Sequence, residues 1–194
     1  MNRTAGWDAL LGLLRFGELS AAASFGRMLR GRSAHTSDKI VDSLAPVAAD
    51  ERKHERWLID FCERQAVVTL APPRPVRRFF ASLAGGDLAV HLARIAALDG
   101  CVCQTLGQVL RPDATRDSTL GHLLQSIRRD EAHHVAVARA LARQLGVSHE
   151  RMVELDGETR HSFARVLEHY RASFDAMAID TEALTRRIRR HDVA

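Results

Sequence analysis

Aromatic residues are scarce in this chain, at 5% of positions, and nowhere do Val, Ile and Thr alternate over a strand's length. Sheets draw on those residues in that pattern, so a β-rich fold is excluded. Lysine occurs only as Lys39 and Lys53, and arginine carries nearly all the positive charge. The formal net charge is only +4, an excess too small to point to a nucleic-acid partner. The basic run TRRIRRHD at 185–192 reads as the solvated last turn of a helix, where Arg suits the dipole. Cysteine is limited to Cys62, Cys101 and Cys103. An odd number without a secreted-type spacing excludes a disulfide scaffold and suggests a reducing compartment. No stretch reaches the ~18 apolar residues of a membrane span. The short ALLGLL at 9–14 follows Asp8 and runs into Arg15 and Glu18, unlike a signal peptide. A soluble, cytoplasmic protein is expected.

Ala, Leu and Arg dominate instead, and 46% of the 194 residues are hydrophobic. Such a chain favours helices around one buried core. A first helix is expected over 7–30, ending near RGRSAHTSD. A second follows from Ser37 or Asp38 as cap to about Gln65, with a kink or a short preceding helix at Pro46. VVTLAPPRP at 67–75 reads as a linker, with a short helix after it over 76–83. Asp87 is a plausible cap for a third long helix over 88–110, and RPDATRDS at 111–118 a turn. The fourth long helix spans 119–145 and stops at Gly146. Ser148 or His149 opens a further helix to about 173, and a shorter one covers 181–190. The order is up-down pair, crossover, up-down pair, helical tail: one route to a four-helix bundle.

In each of the four long helices a carboxylate interrupts an apolar stripe at offsets of three, four and seven. Glu18 stands among Leu11, Leu14, Ala21, Ala22 and Phe25, and Glu51 among Val47, Ala48 and Leu58. Asp99 stands among Leu92, Ile95, Val102, Cys103 and Leu106, and Glu131 among Leu124, Ile127, Val135 and Ala138. One turn after Glu51 comes His54, and one turn after Glu131 comes His134. Four buried, unpaired carboxylates would cost several kcal/mol each, and no Lys or Arg lies in these stripes. Two divalent cations would neutralise them, and mixed oxygen and nitrogen ligands suit iron or manganese. Glu18 to Glu51 is 33 residues and Asp99 to Glu131 is 32, which makes the chain a repeat of two helical hairpins in matching register.

Ten glutamates and ten histidines should give about half of one Glu-x-x-His by chance. There are three. The third, Glu158 and His161, has Arg151, Glu154 and Ser162 around it and reads as a solvated pair. His133 is rotated about 100° from His134 and is not expected to be a ligand. His91 falls off the Asp99 centre line and reads as surface or rim. Cys103 reads as packing, with a place in a substrate pocket as the alternative.

The pattern Glu, Glu-x-x-His, Asp, Glu-x-x-His resembles the ferritin-like di-iron carboxylate superfamily over roughly 7–146. The resemblance implies an all-α ferritin-like bundle over 7–146; residues 147–194, beyond it, are expected to form a C-terminal helical extension packed on the same domain. It implies two iron ions, manganese being the alternative. Glu51 and Glu131 would bridge them, Glu18 and His54 completing one ion's ligands and Asp99 and His134 the other's. Asp99 departs from the commoner Glu, and its shorter side chain would hold one ion more loosely. In bacterial di-iron monooxygenases an Asp just before Glu-x-x-His hydrogen-bonds a ligand imidazole; by resemblance Asp50 and Asp130 take that role.

The function implied is an oxygen-activating oxidase or oxygenase working on a small organic substrate, with dioxygen and an unidentified electron donor as partners. Ala21, Ala22, Ala96 and Gly100 would leave room for that substrate. Ferroxidase or peroxide-scavenging activity is the alternative, though no Cys-x-x-Cys module for electrons is present. A metal-stabilised helical binding module is a minor one. Tyr170, the only tyrosine, lies in the tail, which argues against tyrosyl-radical generation. A homo-dimer is left open.

Overall fold

A computed structural model describes residues 4–30, 38–111 and 118–190. Among the described residues there are helices and no strand: α1 (Thr4–Arg30), α2 (Asp38–Arg64), α3 (Arg74–Leu83), α4 (Leu88–Val109), α5 (Ser118–Gln144), α6 (His149–His169), α7 (Arg171–Ala176) and α8 (Thr181–Arg189). The expected breaks within 31–37 and 112–117, a cap at Ser37, and the last residues of the basic run lie outside the described residues.

Helix α2 illustrates the pattern that builds the bundle. Its buried residues are Ile40, Leu44, Val47, Ala48, Glu51, His54, Leu58, Phe61 and Cys62, a stripe at helical spacing. No separate helix precedes Pro46; α2 runs through it without a break. The proline ring removes the N–H that would bond the Asp42 carbonyl, but Pro46 is exposed, so that carbonyl can turn to water. Helices α1 and α2 pack as one pair, α4 and α5 as another, and α2 against α5 joins the pairs. The backbones of α1 and α4 stay apart and meet only through side chains, such as Ser24 and His91, which leaves room between them.

Helix α4 is buried on most sides because it meets α5 on one face and α6 on another. Asp87 does cap it, accepting from the Val90 N–H at 2.8 Å. Ser148 caps α6 and Asp180 caps α8 in the same way. Both hairpins end alike. In α5 the Gly146 N–H bonds Arg143 and the Val147 N–H reaches back to Ala142, with Gly146 at φ +95°. In α2 Ala66 at φ +50° occupies the equivalent place, with Val67 bonding Cys62. These are Schellman ends, 80 residues apart.

The crossover after α2 lies against α1 at Gly12, where a Cβ would stand 2.3 Å from the Leu70 carbonyl oxygen. Short α3 then lays Val76, Phe79 and Leu83 into the core. The helix expected to reach 173 instead ends at His169; Tyr170 leaves helical bonding and α7 starts afresh. Helix α1 begins earlier than expected, with Gly6 against the Ser173 carbonyl, and α7 packs beside it. The tail is therefore part of the same core: Phe163, Leu167, Phe174 and Ile188 are fully or nearly buried in it.

Candidate metal centre

The six residues singled out as ligands come together in the middle of the bundle. Glu18, Glu51, His54, Asp99, Glu131 and His134 are each at most 5% exposed. They form two overlapping groups, Glu18, Glu51, His54 and Glu131 in one, Asp99, Glu131 and His134 in the other. Within each group the donor atoms lie within 4.8 Å of one another. Glu131 belongs to both. No helix is long and apolar enough to cross a membrane among the described residues.

The two imidazoles are oriented alike. Nδ1 of His54 faces Glu18 at 3.1 Å and Glu131 at 3.5 Å. Nδ1 of His134 faces Glu51 at 3.1 Å and Glu131 at 3.6 Å, yet forms no directed hydrogen bond. Each Nε2 points away, towards an aspartate on the opposite hairpin. His54 meets Asp130 at 3.0 Å, and His134 meets Asp50 at 3.5 Å. Asp50 and Asp130 therefore serve imidazoles across the α2–α5 interface, not the histidines of their own helices. With Nε2–H committed to a carboxylate, Nδ1 of each ring is the atom presented to the centre.

Lys53, which carried no signal in the sequence, ties these aspartates together. Its ammonium lies 2.5 Å from Asp50 and 2.9 Å from Asp130, and 5.0 Å from the centre of the Trp57 ring. The position 80 residues on is His133, which is exposed, so one lysine serves both halves of the repeat.

Without cations the charges must be balanced by protons. Burial pushes the carboxyls of Glu51 and Asp99 well above the usual range, with Glu131 beside each adding to the effect. Burial raises Glu18 as well, against the pull of His54. Glu131 goes the other way: the two imidazoles beside it outweigh its burial and lower its pKa. Burial opposes charging of the histidines too, but the carboxylates of Glu131 and Glu18 hold His54 at about 10, and those of Glu131 and Glu51 hold His134 at about 11. Asp99 Oδ2 and His134 Nδ1 are buried without hydrogen-bond partners. Buried carboxylates and imidazoles converging from four helices, two of them with an atom left unpartnered, are what a cation site requires. The residues present thus fit a metal centre of oxygen and nitrogen donors.

A chamber of about 60 Å³ lies directly against these carboxylates, in the space between α1 and α4. Glu18, Glu51, Asp99 and Glu131 form one wall. The others are apolar apart from Thr105, and come from α1 (Leu10, Leu13), α3 (Phe80), α4 (Val102) and α6 (Phe163). Of the small residues expected to make room, only Ala21 lines it; Gly17 does so without having been noticed. Ala22 and Ala96 are close-packed core. Gly100 makes room for a buried arginine, since a Cβ there would lie 3.3 Å from Arg160 Nη2.

Several neighbouring residues fall elsewhere. His91 is buried, not at the rim: its Nδ1–H donates to the Leu83 carbonyl at 2.6 Å and Ser24 Oγ meets Nε2 at 2.7 Å. Cys103 does not line the chamber; its thiol meets the Arg128 carbonyl at 3.5 Å. Burial pushes the Cys101 and Cys103 thiols up to about 12, so neither is a thiolate donor. His133, Glu158 and His161 are exposed, as expected.

No protein-family model matches the chain, and no curated protein or solved structure is significantly similar to it.

Proposed function

We propose that the chain is a ferritin-like di-metal carboxylate protein that uses dioxygen to oxidise a small organic substrate. Glu51 and Glu131 would bridge two cations, with Glu18 and His54 on one and Asp99 and His134 on the other. Iron, with manganese the alternative for this donor set, would supply dioxygen activation and the electrons for it. The chain's own part is to hold the donors and keep the site dry. Asp50 and Asp130 fix the imidazoles through Nε2–H, and Lys53 keeps both aspartates ionised by pairing with them. Partial burial raises the two aspartates, but Lys53 and the histidines outweigh it and lower both.

One observation carries the choice of an organic substrate. Away from the carboxylates, and apart from Thr105, the chamber is walled by apolar residues, chiefly Leu, Val and Phe. A hydrated ferrous ion has no favourable path along such walls, whereas a hydrocarbon does. The test is anaerobic reconstitution with ferrous iron followed by oxygen. Stoichiometric oxidation that then stops is expected of an oxygenase lacking its substrate. Continuous conversion of excess iron to mineral would establish iron handling instead. Rapid peroxide disproportionation by the manganese form would establish scavenging. Absence of any reaction with oxygen would leave a metal-stabilised binding module. A soluble monooxygenase or oxidase also needs an electron donor, which we assign to a separate protein or small reductant.

A further inference from the structure

A second cavity, of about 360 Å³, adjoins the chamber beneath α3. The two share Gly17, Ala21, Phe80 and Leu98 as a common wall. The partition is thin. Phe80 is only half-buried, its ring edge-on to Phe16 at 5.4 Å, and it lies over Gly17, where a Cβ would meet it at an ordinary contact distance of 3.5 Å. Aromatic rings on a short surface helix can turn at little cost, and Gly17 presents no side chain to oppose them.

The chemistry changes across that wall. The inner chamber is apolar down to its carboxylates. The outer cavity carries Arg27 and Arg77, with Ser20, Ser24 and His91, and no carboxylate lines it. Neither arginine has an ion-pair partner among the described residues, and both are exposed. His91 adds no charge of its own to theirs: burial lowers its pKa, with Arg27 and Arg94 adding to the effect, and both ring nitrogens are already bonded. Arg27 lies ten residues beyond Gly17 on α1, about 15 Å along the axis; a chain of about ten carbons reaches roughly 12 Å, and a helical side chain such as Arg27 leans back towards the N-terminus by the rest. The chamber is well under the roughly 150 Å³ that accepts a benzene ring, so it suits a slim alkyl end.

We propose that the two cavities form one channel for a single-chain amphiphile, its anionic head held by Arg27 and Arg77 and its alkyl end passed between Gly17 and Phe80 into the chamber. This rests on reading the chamber as the substrate site, and it names the substrate class. A carboxylate and a phosphate head share the chemistry that two guanidiniums recognise.

The test is calorimetric titration of the full chain as isolated, with metal content measured on the same sample. The probes are decanoate, decyl phosphate and decyltrimethylammonium. One or both anions should bind one per chain, and which of them does identifies the head; the cation should not bind. Arg27→Glu with Arg77→Glu should weaken the anions by about tenfold or more. Gly17→Ala should bind as before, since its methyl meets Phe80 at ordinary contact distance, whereas Gly17→Leu should weaken decanoate by a similar factor with unchanged helix content. Equal binding of the cation, no binding of either anion, or full affinity in the double arginine variant or in Gly17→Leu would overturn the channel. Anion binding in a protein that takes up no metal would uphold the channel while removing the oxidase reading. Metal uptake without anion binding would do the reverse.

Discussion

Glu131 is the residue on which most of the centre converges, since both imidazoles turn their Nδ1 atoms towards it. On the proposed reading, replacing it by Ala, or replacing Glu51, should lower the metal content from two per chain to one or none. Glu158→Ala, at an exposed Glu-x-x-His, should leave the content unchanged; elemental analysis of the purified variants checks both. Asp130→Ala removes the partner of His54 Nε2 and should weaken metal affinity by about 10–100-fold. Competitive chelator titration measures it, and unaltered affinity would deny Asp130 its positioning role. Protons and cations compete for the same atoms. The raised carboxyls of Glu18, Glu51 and Asp99 and the raised imidazoles mean that the metal-free folded chain binds more protons than the unfolded one. For His54 and His134 that stabilisation is full below about 6.5 and is lost as pH rises through about 10 and about 11. The metal-free protein should therefore melt at lower temperature as pH climbs from 7, while metal affinity climbs with pH and loading at pH 7 releases protons. Melting curves and titrations in buffers of different ionisation enthalpy test the two directions. The clustered carboxylates were legible because each breaks an apolar stripe, and the two histidines because each follows one by a turn. Lys53 was not, because it has no counterpart in the second half and its partners come from two helices.

At the scale of elements, the 80-residue repeat is written into helix ends as well as into the Glu-x-x-His pairs. Gly146 takes φ +95° without penalty, whereas Ala66 takes φ +50° with a Cβ. Ala66→Gly should then be neutral or stabilising, up to about 1 kcal/mol, and Gly146→Ala destabilising by about the same. Thermal unfolding of the two variants, read with the metal removed, gives the comparison; equal and opposite shifts of the other sign would contradict it. Gly146, Asp87 and Ser148 could be read in advance because a single residue type makes each cap. Ala66 could not, since nothing in alanine marks a left-handed turn. Pro46 misled for a related reason: the cost of a helix proline depends on whether the freed carbonyl meets water, and only the packing of α2 settles which face is wet. The break at Tyr170 has no proline or glycine to announce it.

On the scale of the whole molecule, the C-terminal helices close the site rather than trail from it. Phe163 and Leu167 from α6 line the chamber, and α6 is fastened by an ion pair sealed inside the protein. Arg160 is 1% exposed; its Nε donates to Asp156 at 2.5 Å, and its Nη1 approaches both Cys101 on α4 and the Ile188 carbonyl on α8. Nothing in the sequence separated this pair from an ordinary surface i,i+4 pair, because the face of α6 that turns inward depends on α4 and α8 together. Arg160→Ala leaves Asp156 buried beside only a distant Arg139, 3.9 Å away, and should cost about 3–5 kcal/mol in chemical denaturation. Replacing both partners by apolar residues of similar size should restore most of that. The carboxylates at the centre of the bundle, by contrast, meet no lysine or arginine among the described residues, and on the proposed reading cations take that part. Anomalous scattering from crystals of the metal-loaded protein tests this most directly. Two peaks about 3.5–4 Å apart between Glu51 and Glu131 are predicted. A loaded crystal with no peak there, or with a single ion bound outside the cluster, would contradict it.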